Sequence, residues 1–329
     1  MSYKSIDGLM RHLRQNGIQI SGSTQKRQLR NTGYYHGYKG YRFFGTSSNR
    51  LPFTSCKEVY ATIQYDSKLK SLLYGKMMFI ETAVKNITLE SILQYTHSES
   101  IKDMYDKAVT SYVNCPDNST IEQRKQYQQN KLNLEGLIHS NLTRAYKSEN
   151  PKITHYYNNI GYSGVPIWSL FEIMSLGDFG FLLSCLIYYI RDDISHRIGF
   201  NVSSDTNRQL VYKYIYTLKD LRNAIAHNSV VFDTRFRKID PTRAMKRCLE
   251  QAIHLPYINF KSISDYVILI CFYLKMLGTS KKEIKAFIHD FEKVTNEYKN
   301  SVQANVANIV IRSDFSTRMN ILKNYIQNG

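Results

Sequence analysis

Apolar residues recur at intervals of three and four over most of the chain, the period of α-helices with one buried face. Between Leu69 and Leu93 the stripe runs through Leu72, Leu73, Met77, Ile80, Val84, Ile87 and Ile92. Ser55 followed three residues later by Glu58 is a capping-box pattern, and residues 54–94 are predicted as two helices. A short helix is predicted over 3–16, with Leu9, Met10 and Leu13 on one face and Gly17 as its stop. Further helices are predicted over 121–147, 167–176, 179–192, 205–227, 241–253, 262–277, 281–299 and 314–327. Residues 96–120 and 150–166 read as connections, and 21–53, with its run GYYHGYKGYRFF, as a Gly-punctuated basic loop or compact hairpin. Ser229–Phe232 is the one strand-like stretch. The expected class is all-α, with an N-terminal basic, Gly/Tyr-rich loop region and C-terminal helices. The expected division is 1–53, 54–300 and a helical tail over 301–329.

Composition narrows the function classes. The apolar fraction of 43% is that of a globular chain. Cys56, Cys115, Cys185, Cys248 and Cys271 lie far apart with no CxxC, so neither a disulfide framework nor a structural zinc site is expected. The longest apolar runs, Phe179–Ile190 and Tyr266–Leu277, fall short of the roughly 20 residues of a membrane span. The first residues carry charges where a signal peptide needs an apolar core. The expectation is a cytoplasmic protein without a membrane partner.

Charge adds a partner. Forty-four Lys and Arg against 27 Asp and Glu give +17, beside 26 Tyr and 15 Phe. Cations hold phosphates and aromatic rings stack unpaired bases, so RNA is the expected ligand. The densest mixture is Lys26, Arg27, Arg30, Tyr34, Tyr35, His36, Tyr38, Lys39, Tyr41 and Arg42. An alternative reading packs these tyrosines on the first helix. Lys281, Lys282 and Lys285 either widen the basic face or form a solvated helix surface.

Four Arg–His pairs have four to six residues between them: Arg30/His36, Arg191/His196, Arg222/His227 and Arg247/His254. Context singles out Arg222/His227, which ends a long apolar-periodic helix in the sequence LRNAIAHN. An imidazole can take a proton from an RNA 2′-hydroxyl or give one to the leaving 5′-oxygen. A guanidinium can hold the scissile phosphate. The alternative for His227 is a cap at a helix C-terminus. No His cluster has metal-ligand spacing, and no cofactor is expected.

LRNAIAHNSVVFDTRF resembles the R-N-x3-H signature of HEPN ribonucleases, in the form found in Abi-like proteins of bacterial abortive infection, the AbiD/AbiF type. VPIWSLFEIMSLGDFGFLL (165–183), GYYHGYKGYRFF (33–44) and FTSCKEVYATIQYDSKLKSLL (53–73) are similar to three further blocks of that family, in its order. His36 departs from the usual Arg, and the region beyond 240 has no counterpart. The resemblance implies a HEPN-type helical bundle and metal-independent RNA cleavage at a site made by two facing motifs, hence a homodimer. It also implies association with a structured non-coding RNA. In its terms His227 is general acid/base, Arg222 the phosphate clamp, Asn223 an orienting group and Glu172 a supporting carboxylate, while Arg235 and Arg237 contact the RNA backbone. A non-catalytic ribonucleoprotein, or a toxin neutralised by its RNA, is the rival expectation.

Overall fold

Helices dominate the computed structural model, which describes residues 4–161, 164–200 and 205–328. Tyr3, where the first predicted helix begins, and Tyr162 and Ser163 of the predicted 150–166 connection lie outside these. The order is α1 (Ile6–Gln15), α2 (Gly22–Thr32), a π-helical turn (Gly33–Lys39), β1 (Phe43–Phe44), β2 (Thr46–Arg50), α3 (Cys56–Thr96), α4 (Ile101–Asp103) with a second π-turn (Met104–Ala108), and α5 (Ile121–Lys147). There follow α6 (Pro151–Asn159), α7 (Ile167–Ile173), α8 (Leu176–Cys185), α9 (Tyr188–Ile198), α10 (Leu210–Ala226), α11 (Arg243–Ile253), α12 (Ile263–Met276), α13 (Lys281–Ser301), α14 (Ala304–Val310) and α15 (Phe315–Gln327). The class is all-α, with one small antiparallel hairpin, β1–β2.

Several elements differ from the sequence expectation. Residues 54–94 form one helix, α3, because nothing between them breaks it: Gly75 is exposed and its backbone stays helical. The capping box holds, with Glu58 accepting from the Thr54 and Ser55 N–H groups at 2.8 and 3.1 Å. Burial pushes the Glu58 carboxyl up, but these bonds and one from the Gln303 N–H outweigh it and hold its pKa low. Residues 22–39 are helical rather than a loop. Leu29, Tyr34, Tyr38 and Tyr41 supply the buried positions, so the tyrosines serve as the apolar stripe. Gly37 packs closely, since a Cβ there would stand 3.0 Å from Thr32 Oγ1 and the threonine would have to give by a few tenths of an ångström. Residues 151–159 of the predicted connection also fold into a helix, α6, started by Asn150 as N-cap and Pro151 at its first position. The stretch predicted as one helix over 179–192 is split into α8 and α9. At the split the Ile187 N–H donates to Ala108 O and the Thr110 N–H to Cys185 O, each at 2.8–2.9 Å, which takes these groups out of a helical ladder. Ser229–Phe232 forms no strand and runs into a turn closed by the Thr234 N–H on Val231 O, and the strands among the described residues lie at 43–50 instead. The helix expected from 205 begins at Leu210.

The chain packs as two compact units. The first holds the described residues up to Met77, Asp220–Pro241 and those from Leu249 onward, and the second holds Met78–Lys219 and Thr242–Cys248. In the first, α12 is buried on every side from Ile263 to Leu274. Against it α13 turns Ile284, Phe287, Ile288 and Phe291 inward, and α15 contributes Met319, Leu322 and Ile326. Arg318 on α15 is buried yet paired: it donates to Asp265 Oδ1 at 2.5 Å and to Pro256 O at 3.0 Å. Asp265 in turn receives the Asn259 and Phe260 N–H groups. In the second unit α5 packs on α7 and α8 through Leu134, Ile138 and Leu142 facing Leu170, Phe179 and Leu182. Lys281, Lys285 and Lys275 bind the end of α15: Lys281 donates to Gln327 O at 3.0 Å, Lys285 to the Gln327 side chain and Lys275 to Tyr325 O. Lys281 and Lys275 satisfy backbone carbonyls that a helix end leaves open, where cations are favourable. Among the described residues no helix is long and apolar enough to cross a membrane.

Candidate functional site at the end of α10

The last turn of α10 closes by two backbone bonds. The Asn228 N–H donates to Ile225 O at 3.1 Å and the Ser229 N–H to Ala224 O at 2.8 Å. This is the Schellman arrangement, which needs a left-handed residue just past the cap. Asn228 fills that place with φ 51°, a conformation asparagine tolerates better than most residues. His227 is therefore the C-cap of α10.

The segment after the cap is pinned by a buried carboxylate. Asp66 on α3 accepts the Val231 and Phe232 N–H groups at 2.7 and 2.8 Å and the Tyr41 hydroxyl at 2.8 Å. Lys70, one turn along α3, pairs with Asp66 at 2.7 Å and donates to Asn228 Oδ1 at 2.9 Å. The Asn228 amide nitrogen also sits 3.4 Å from His36 Nε2. Burial and the adjacent Asp66 charge raise the Tyr41 pKa, so that hydroxyl stays a donor. A second buried carboxylate, Asp233, receives the Gly45 N–H and the Arg235 guanidinium. The blocks 33–44, 53–73 and 222–235, which the sequence offers as separate signatures, are thus one hydrogen-bonded assembly.

Beside this assembly an open cleft of about 390 Å³ is lined by Asp220, Asn223, Ala224, His227, Arg235, Phe236 and Lys238, with Ser229 and Val230. Positions 220, 223, 224 and 227 are the i, i+3, i+4 and i+7 places of one helical face. The His227 side chain is exposed there, with Asn223 about one turn behind it. The Lys238 N–H reaches Asp220 Oδ2 at 3.3 Å.

The predicted residues divide accordingly. Asn223 and His227 share the cleft face. Arg222 is absent from its lining, standing about 140° round the helix axis from His227, and its guanidinium lies 3.5 Å from Asn223 Oδ1. Glu172 does not join them. It lies in the second unit, where its carboxylate meets Lys152 at 2.6 Å on the surface. Arg235 is a structural group rather than a free RNA contact, because its guanidinium also donates to Gly40 O and Phe43 O at 2.7 and 2.6 Å. Arg237 likewise pairs with Asp240 and donates to Asn259 O. Tyr34, Tyr38 and Tyr41 are buried and unable to stack bases, whereas Tyr35 is 68% exposed. Lys39 lies 4.7 Å over the Tyr35 ring. Arg42 packs on Phe43, and Lys26 pairs with Asp7. Arg27 and Arg30 remain on the exposed face of α2. His36 is also exposed and sits beside Asn228.

Sequence reasoning missed Asp66, Lys70, Asp233 and Lys238. The available signal was Asp66 with Lys70 at i, i+4 inside an apolar stripe, a place where a carboxylate needs partners. Among the described residues no group of three or more His, Cys, Asp or Glu side chains is placed to hold a metal ion.

No curated protein and no solved structure matches the chain. Residues 27–233, which contain both the Asp66 assembly and the end of α10, match the family described as Abi-like protein. That span covers well over half of the chain, and the protein belongs to the Abi-like family.

Proposed function

We propose that this protein acts in abortive infection as an RNA-binding endoribonuclease, with the α10 cleft as half of a metal-independent site. Membership of the Abi-like family supports the defence role. The observation that carries the cleavage reading is His227. The backbone fixes it at the C-cap of α10, its imidazole is exposed in the cleft, and Asn223 shares its face. An imidazole so held can take the proton from a ribose 2′-hydroxyl as that oxygen attacks phosphorus. The 5′-oxygen then leaves with a proton, and a 2′,3′-cyclic phosphate remains. One imidazole cannot serve as base and acid at the same instant, so two copies meeting through this face would supply one for each role. In that arrangement Lys238 is the cation within the cleft, and Arg222, on the neighbouring face of α10, clamps phosphate only where the RNA runs past that face. Arg27, Arg30, Tyr35, His36 and Lys39 form the accessory RNA face.

A second reading, an RNA-binding protein without turnover, draws on the position of Arg222 away from the cleft face. The two separate in one experiment. The purified protein, checked for dimer mass by light scattering, is incubated with total RNA in EDTA. Under the nuclease reading RNA is cut, and His227→Ala lowers the rate by roughly a hundredfold or more while sparing RNA affinity. Cleavage unchanged in His227→Ala, or no cleavage by the parent dimer, overturns it.

A further inference from the structure

The second unit contains a cleft of about 480 Å³ that the α10 site does not use, a volume in the range of small-ligand sites. Arg191, in the first turns of α9, lines it. Its Nε is shielded from solvent without a hydrogen-bond partner, and among the described residues no ion pair reaches the guanidinium. Two other arginines of this unit are paired with carboxylates. Arg197 pairs with Glu90 and Asp193, and Arg208 with Asp192. Burial lowers the Arg191 pKa, offset in part by the facing Tyr212, Tyr127, Asp205 and Cys185. Of these, Asp205 is already engaged by the Ser195 hydroxyl and the Gln209 and Leu210 N–H groups. A desolvated guanidinium without an anion is costly, and a ligand anion removes that cost.

The walls say which anion. Tyr95, Tyr127, Tyr188 and Tyr189 line the same cleft, and Tyr189 is 73% exposed. Lys107 lines it as a second cation, in contact with Asp103, and Asp117 is the one acid of the lining. Ile187, Tyr188 and Tyr189 are the N-cap and first residues of α9, which has no side-chain cap and no acidic residue in its first turn. Such a helix start favours phosphate, and tyrosine rings favour a base. The guanidinium, the aromatic walls and the volume agree on one ligand class.

We propose that this cleft binds a nucleotide, its phosphate on Arg191 and its base on the exposed tyrosines. The nucleotide is either free or the end of a single RNA strand. The site is independent of the α10 cleft and stands whether or not His227 cuts RNA.

Calorimetric titrations with AMP and with a 2′-O-methyl uridine hexamer bearing a 5′-phosphate test it. The hexamer lacks the free 2′-hydroxyl that cleavage requires. Saturable binding of AMP, weakened about tenfold or more by Arg191→Gln and about fivefold or more by Tyr189→Ala, supports a free nucleotide. The same losses with the hexamer alone support a strand end. Tyr189→Ala removes an exposed ring, so it reports even where Arg191→Gln fails to fold, which circular dichroism shows. No saturable binding by the parent, or affinities unchanged in Tyr189→Ala and in folded Arg191→Gln, overturns the proposal. Equal affinity for AMP and inorganic phosphate overturns it too, since the base would then contribute nothing.

Discussion

Asn228 occupies a left-handed conformation with φ 51° and gives its side chain to Lys70 and His36. Two substitutions separate these roles. Asn228→Gly keeps the backbone conformation at little steric cost and loses only the side-chain bonds. Asn228→Ala loses the bonds and also places a Cβ in the left-handed region, which costs about 1 kcal/mol more. Urea unfolding should therefore rank parent, Gly, Ala in falling stability. A glycine variant less stable than the alanine one would show that the αL cap is not what holds this turn. Residues of this kind explain the limits of the sequence reading. The pattern RNAIAHN drew attention to Arg222 and His227 for their chemistry, and the cleft face contains the second but not the first. Asp66 was invisible because its partners, the Val231 and Phe232 N–H groups, lie some 165 residues away. Tyr34, Tyr38 and Tyr41 read as binding groups by composition, yet their phenols lie inside the fold. Neighbours remote in sequence decide that, and no local pattern contains them.

At the scale of elements, periodicity and capping carried most of the information. α1, α5, α11, α12, α13 and α15 lie within a few residues of their expected ranges. Two differences involve proline and glycine: residues 151–159 are helical where a connection is expected, and α3 is one helix where two are expected. Asn150-Pro151 begins a helix instead of ending one, because proline at a first helical position lacks only an N–H that would be unbonded there. In the same way Gly75 sits within α3 with no heavy atom within 4 Å of the place a Cβ would take. Its cost is the freedom it gives the unfolded chain. Gly75→Ala is therefore expected to stabilise the protein by about 0.5–1 kcal/mol, seen as a higher denaturant midpoint at unchanged slope. A lower midpoint would mean that the exposed face of α3 is covered by another chain in solution, where the added methyl clashes.

Across the whole molecule, the tyrosines that looked like an RNA surface are in large part the interior. Tyr41, Tyr65, Tyr266, Tyr212, Tyr216 and Tyr298, with Tyr34 and Tyr105, all have raised pKa values, chiefly through burial. Tyr216 and Tyr298 are pushed up to about 12. The sign of the linkage follows. The unfolded chain ionises its tyrosines near pH 10, while the folded chain keeps these eight neutral to higher pH. Their contribution is complete below pH 10 and is lost as pH rises from there through the folded values. Each ring releasing its proton on unfolding lowers stability by about 1.4 kcal/mol per pH unit in that window. The five rings with both a large shift and most of the ring buried, Tyr41, Tyr65, Tyr216, Tyr266 and Tyr298, together lower stability by about 7 kcal/mol per pH unit and exhaust a domain stability of ~5–15 kcal/mol within about one to two pH units. The tyrosinate absorbance of the buried rings and helical circular dichroism should therefore change together in one cooperative step between pH 10 and 12. Gradual ionisation of nearly all the tyrosines with the helices intact would show that water reaches these rings in the folded protein, and would restore them as candidates for stacking on RNA.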